Sequence, residues 1–100
     1  EEVKRFKPPI NAKNTFKVPH MGWNNIYNLK GKLFEGIPEN SFVYFVHSYY
    51  VSTGDHTSAT CEYIVPFSAS LEFKNFYATQ FHPEKSSKIG AKILENFLNI

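Results

Sequence analysis

The sequence predicts an α/β fold in which a strand-rich sheet is closed by one packing helix. Three observations carry this. Residues 41–51 are apolar almost throughout, as a central strand covered on both faces is. Residues 59–81 hold three runs of β-branched and aromatic residues with short breaks between them, which suggests hairpins and antiparallel pairing on part of the sheet. Ile89, Ile93 and Phe97 recur at i, i+4 and i+8, with Leu94 and Leu98 beside them, giving the last segment one apolar helical face.

The elements follow in chain order. The first six residues alternate weakly and read as a short strand, stopped by Lys7-Pro8-Pro9. Residues 11–14 are polar and turn-like. Residues 16–24 read as a short strand running into a glycine-broken loop that carries His20, Trp23 and Asn24, and Pro19 argues against a central position. Residues 25–34 suggest about one helical turn, and residues 35–40 form a turn cluster. The apolar strand 41–51 turns polar at His47-Ser48-Tyr49, and ligands of open α/β sheets sit beyond carboxyl ends of strands. After a loop at 52–57 comes a strand at 59–65, closed by Pro66, then another at 67–73. Lys74-Asn75 makes a hairpin turn into the strand 76–81. Ser86 or Ser87 caps the final helix, with Lys88, Lys92, Glu95 and Asn96 facing water.

Composition limits the function classes. One hundred residues allow one domain or part of one. No apolar run approaches the roughly 20 residues that span a bilayer, and the first residues lack a signal-peptide pattern. A single cysteine excludes an intrachain disulfide, so a cytoplasmic location is expected. The net charge of +2, with scattered basic residues, points to neither nucleic acid nor membrane as partner. His20, His47, His56 and His82 share no metal-ligand spacing, and Cys61 has no C-x-x-C partner, so no metal or other cofactor is expected.

The stretch with chemical meaning is Gln80-Phe81-His82-Pro83-Glu84-Lys85-Ser86. Side chains at i and i+2 of an extended segment share a face, and Pro83 keeps His82 extended. An imidazole and a carboxylate are thereby held together. That is the base and orienting acid of a nucleophile–His–acid triad. The nucleophile is the missing part: there is no Gly-x-Ser-x-Gly elbow, and Cys61 lies in a strand with neither a glycine turn nor a helix start. Either the pair is structural or the nucleophile lies on other sequence.

Three stretches together, Lys17-Val18-Pro19-His20-Met21-Gly22-Trp23-Asn24, His47-Ser48-Tyr49-Tyr50-Val51 and Gln80 to Ser86, resemble the C-terminal half of class I glutamine amidotransferases. More narrowly, they resemble the glutaminase subunits of imidazole glycerol phosphate synthases, of histidine biosynthesis. The resemblance covers essentially the whole chain, residues 1–100, as the C-terminal portion of a single domain. It implies hydrolysis of glutamine to glutamate and ammonia by a Cys–His–Glu triad, with ammonia channelled to a partner, a (β/α)8 barrel synthase subunit. By match, His82 is the triad base and Glu84 its orienting acid. Ser48 and Tyr49 lie along the glutamine pocket, largely through backbone. Trp23, Asn24, Tyr44 and Lys85 face the synthase subunit. The family's cysteine elbow and oxyanion loop are not in this sequence, so the chain alone is expected to be inactive, and unstable or oligomeric without its other half. Three alternatives stay open: an amidotransferase serving another synthase, a noncatalytic interaction module, and an independent hydrolase using Ser48 or Cys61.

Overall fold

The computed structural model describes residues 2–7 and 18–100. The turn expected at 11–14 and the strand start at 16–17 lie outside them. Seven strands are described: β1 (Val3–Arg5), β2 (His20–Ile26), β3 (Ser41–His47), β4 (Tyr49–Val51), β5 (Thr57–Tyr63), β6 (Val65–Phe73) and β7 (Phe76–Thr79). The helix α1 (Ser87–Leu98) closes the chain, and 3₁₀ turns occupy Lys32–Phe34 and Pro83–Lys85.

The strands form two sheets. One runs β1-β4-β6-β5, with β7 also paired to β6; the other is the β2–β3 ribbon. Every pairing among the described strands is antiparallel, so this pattern extends beyond the hairpins expected in the middle. Paired backbone bonds between Tyr27 and Thr60, both 2.8 Å, join the ribbon to β5.

β2 corrects the expected loop at 20–24. His20 to Ile26 pairs residue by residue with His47 to Ser41, and the alternation buries His20 and Ile26 while Met21 and Trp23 face out. Period-two patterning was present, but Gly22 obscured it.

The single strand expected at 41–51 is two. β3 belongs to the ribbon and β4 to the larger sheet, and Ser48 is the hand-off between them. Nor is it covered on both faces. Val43, Phe45 and His47 point into the core, whereas Phe42 and Val46 are 56% and 37% exposed. Apolar residues on both faces of a strand do not say which face the fold covers.

Pro66 does not close β5. It lies inside β6, opposite Glu62, and the actual turn is Ile64, with φ 68°. A proline can stand in a strand where its missing N–H is not demanded by the ladder. The β6–β7 hairpin turns at Lys74-Asn75 as expected, with Phe73 opposite Phe76. β7 ends at Thr79, two residues before the expected end at Phe81.

Both sheets and the helix share one core around Phe45, Phe67, Phe81 and Ile93. Each such side chain contributes about 2 kcal/mol by leaving water. Phe6 joins it, stacking on Tyr50 at 4.7 Å and meeting Phe67 edge-on. On α1 the buried positions are Gly90 and Ile93, while Leu94, Phe97 and Leu98 stay exposed. Asn96, expected to face water, donates to the carbonyls of Leu33 and Glu35, both at 2.9 Å, and ties α1 to the first 3₁₀ turn.

Candidate active site

The His-Pro-Glu turn forms as its sequence requires. His82 is extended at φ −101° and ψ 98°, and Pro83 opens the 3₁₀ turn that carries Glu84. His82 Nδ1 lies 3.0 Å from Glu84 Oε2. Glu84's own backbone N–H, and then the His82 ring, hold its carboxyl below the usual carboxylate range. With Nδ1 engaged, Nε2 is the ring nitrogen left to exchange a proton with a reactant. The two side chains are 39% and 60% exposed, so reactants can reach them.

The turn is fixed to β3. His82 N–H donates to the Tyr44 carbonyl at 2.9 Å. The Ser86 hydroxyl donates to the His82 carbonyl at 2.7 Å and accepts from Tyr44 N–H at 2.9 Å. Ser86 stands at the helix start, yet its side chain makes no capping bond. Its hydroxyl bolts the catalytic-type turn to the strand instead, a role that the capping pattern does not reveal. Behind it, Gly90 N–H donates to the Ser86 carbonyl, and a Cβ on Gly90 would collide with the Pro83 carbonyl. A glycine is therefore needed there for the helix to approach the turn this closely.

Ser48 follows directly on β3, and Tyr49 opens β4. Phe6 N–H donates to the Ser48 carbonyl at 3.0 Å. Ser48 is half-buried and Tyr49 is 56% exposed. His47 turns inward instead, and its Nδ1 lies 2.8 Å from the Tyr49 carbonyl. His47 Nε2 lies 2.9 Å from Nδ1 of His20, and His20 Nε2 lies 3.3 Å from Asn24 Nδ2. Burial first, and then the neighbouring imidazole, lower the His20 pKa to about 4. Burial likewise lowers His47, with a smaller contribution from His82. Sequence reasoning does not find this buried pair as a unit, because its partners stand 27 residues apart.

On the outer face of the ribbon, Trp23 and Tyr44 are cross-strand neighbours with ring centroids 5.9 Å apart. Met21, Phe42 and Val46 extend this exposed apolar face. Asn24 is not part of it. Its amide donates to the Glu62 carbonyl at 3.1 Å on the inner side, beside His20. Lys85 is exposed in the 3₁₀ turn after Glu84. Cys61 is fully buried on β5, and burial pushes its thiol up to about 12, so it is no thiolate at neutral pH. Among the described residues no three His, Cys, Asp or Glu side chains converge as a metal site, and no helix is long and apolar enough to cross a membrane.

The family model for class I glutamine amidotransferases matches residues 10–100. The chain is 59% identical over 99 residues to the imidazole glycerol phosphate synthase subunit HisH of Bacteroides thetaiotaomicron, covering 99% of this chain and 49% of the relative. It is 56% identical over 92 residues to the HisH subunit of Methanosarcina barkeri, covering 88% of this chain and 46% of that one. Its fold is similar to that of a Thermoplasma acidophilum protein provisionally named as part of a GMP synthase, with TM-score 0.71 and 23% identity over 98% of this chain and 47% of that one. The chain spans about half the length of the relatives it matches. The motif match over nearly the whole sequence and the shared fold agree: this chain belongs to the class I glutamine amidotransferase family.

Proposed function

We propose that this chain is the base-bearing portion of the glutaminase subunit of an imidazole glycerol phosphate synthase, acting in histidine biosynthesis. The observation that carries the reading is the His82–Glu84 contact of 3.0 Å, clamped through Tyr44 and Ser86 to β3, the strand that leads into Ser48. The nucleophilic cysteine comes from the rest of the same domain, which lies outside residues 1–100. Its thiol gives its proton to His82 Nε2, and the thiolate attacks the glutamine carboxamide carbon. The protonated His82 then passes that proton to the leaving ammonia, and water cleaves the thioester to glutamate. Glu84 holds the imidazole in the tautomer that leaves Nε2 as the acceptor. The backbone of Ser48 and Tyr49 lines the glutamine pocket.

Two partner surfaces follow. The exposed face bearing Trp23 and Tyr44, with Lys85 alongside, suits a barrel synthase subunit that receives the ammonia in a cytoplasmic heterodimer with lyase activity. Asn24 stands at its margin, directed inward. The second surface is the apolar groove of about 170 Å³ lined by Leu33, Tyr77, Pro83, Leu94 and Phe97. Its occupant is the other half of the same domain, since relatives of twice this length carry that half.

The test is ammonia release from glutamine by this chain mixed with a separately produced N-terminal half and the barrel subunit. Activity is expected only in the full mixture, and His82→Ala should lower it by about a hundred- to ten-thousandfold. An assembled but inactive mixture would replace this reading with that of a noncatalytic interaction module.

A further inference from the structure

We infer that His20 and His47 are a positioning pair that sets the Ser48–Tyr49 bend for glutamine binding; this rests on the function proposed above. The hydrogen bonds at the hand-off between the two sheets fix which way each carbonyl points. Phe6 N–H takes the Ser48 carbonyl and Ser52 N–H takes that of Glu2, so the Ser48 carbonyl faces β1. Carbonyls alternate in direction along a strand, so that of Tyr49 faces away from β1. On that side β6 meets β4 only at Val51, opposite Ser68. The Tyr49 carbonyl is therefore beyond the ladder, and the His47 ring takes the place of the absent strand.

The proton positions follow from what each partner can do. A backbone carbonyl only accepts, so His47 Nδ1 carries the hydrogen. A neutral His47 then has a bare Nε2, and His20 Nδ1 must donate to it. His20 Nε2 is left to accept, and the Asn24 amide donates to it. All the groups have one consistent direction: Asn24 to His20 to His47 to the Tyr49 carbonyl. A proton added to either ring would set two N–H groups against each other. Rings stacked on His20 hold the arrangement flat, Tyr63 at 4.0 Å and 14° and Phe45 at 4.8 Å and 23°. With His20 only 3% exposed, water has little access to substitute for any of these partners. Neither ring is placed to touch a reactant in this scheme. Both act through the backbone that glutamine meets.

Backbone that holds substrate equally in ground and transition states changes KM rather than kcat. The experiment uses the full-length protein carrying this segment, in complex with its synthase subunit. Asn offers an amide where Nδ1 stood, so His47→Asn keeps the bond to the Tyr49 carbonyl. Gln offers one where Nε2 stood, so His47→Gln keeps only the side toward His20. His47→Gln and His47→Phe are expected to raise KM for glutamine about tenfold with kcat little changed, and His47→Asn to stay within about threefold of the parent. Nitrogen-15 NMR of the parent imidazoles gives a readout independent of activity: both rings should be neutral and Nδ1-protonated at pH 7. Equal KM for the Asn and Gln variants, or an Nε2-protonated His47, would overturn the inference while leaving the glutaminase reading standing. A parent complex without glutaminase activity would instead overturn that reading, and this inference with it.

Discussion

His82 and His47 depend on the same strand, β3, yet they live in opposite surroundings. His82 hangs from Tyr44 and meets a carboxylate at an exposed turn. His47 ends the strand, 8% exposed, and meets another imidazole and a carbonyl. Burial thus divides labour among chemically identical rings. At the turn, the ring has water and a carboxylate beside it. In the core, desolvation opposes the charge and the hydrogen-bond directions work only for neutral rings. The exposed ring is open to reactants, and the buried ring is closed off from them.

Gly90→Ala should disturb the exposed site most among substitutions that leave both pairs chemically intact. Helix propensity alone favours alanine by about 1 kcal/mol. The collision with the Pro83 carbonyl outweighs that, because backbone cannot rotate away as a side chain does. The expected result is about 1–3 kcal/mol of lost stability. Misplacing His82 should also lower kcat about a hundredfold. Chemical denaturation and steady-state ammonia release would check both. A stabilised, fully active variant would show that the helix does not fix the turn.

Glu84→Gln probes the contrast from the other side. It keeps the shape of the acid but removes the charge that steadies an imidazolium and the acceptor that fixes its tautomer, so kcat should fall by up to about ten-thousandfold. Thermal stability should not move measurably, since the pair is solvent-exposed and screened. A large drop in the melting midpoint would mean that the turn is held by the ion pair rather than by Tyr44 and Ser86.

The last contrast tests the buried pair. His20 is held near 4, below its ordinary 6.5, so the unfolded chain binds more protons than the folded one between these values. Stability should be fully present above about pH 6.5 and decline toward pH 4, by about 1 kcal/mol per pH unit. His20→Asn keeps a donor for His47 Nε2 but cannot titrate, so its melting midpoint should depend less on pH in that window. Identical slopes for parent and variant would locate the acid sensitivity elsewhere.

The His82–Glu84 unit is legible in the sequence alone, because a two-residue spacing around a proline needs only local geometry to bring the groups together. So are the β6–β7 hairpin at Lys74-Asn75 and the existence of the final helix. The family match is legible for a related reason: its motifs are contiguous. Tertiary structure makes every choice that runs across distance. Ser48 breaks the strand because two sheets compete for its flanks. Ser86 serves Tyr44 and His82 rather than its own helix, its hydroxyl being taken up by those two backbone groups. His20 finds His47 only when β2 lies antiparallel on β3 in the register that sets them opposite. Local spacing has no access to such pairings, because chain entropy spreads distant residues apart until the burial of Phe45, Phe67 and Phe81 draws the sheets together.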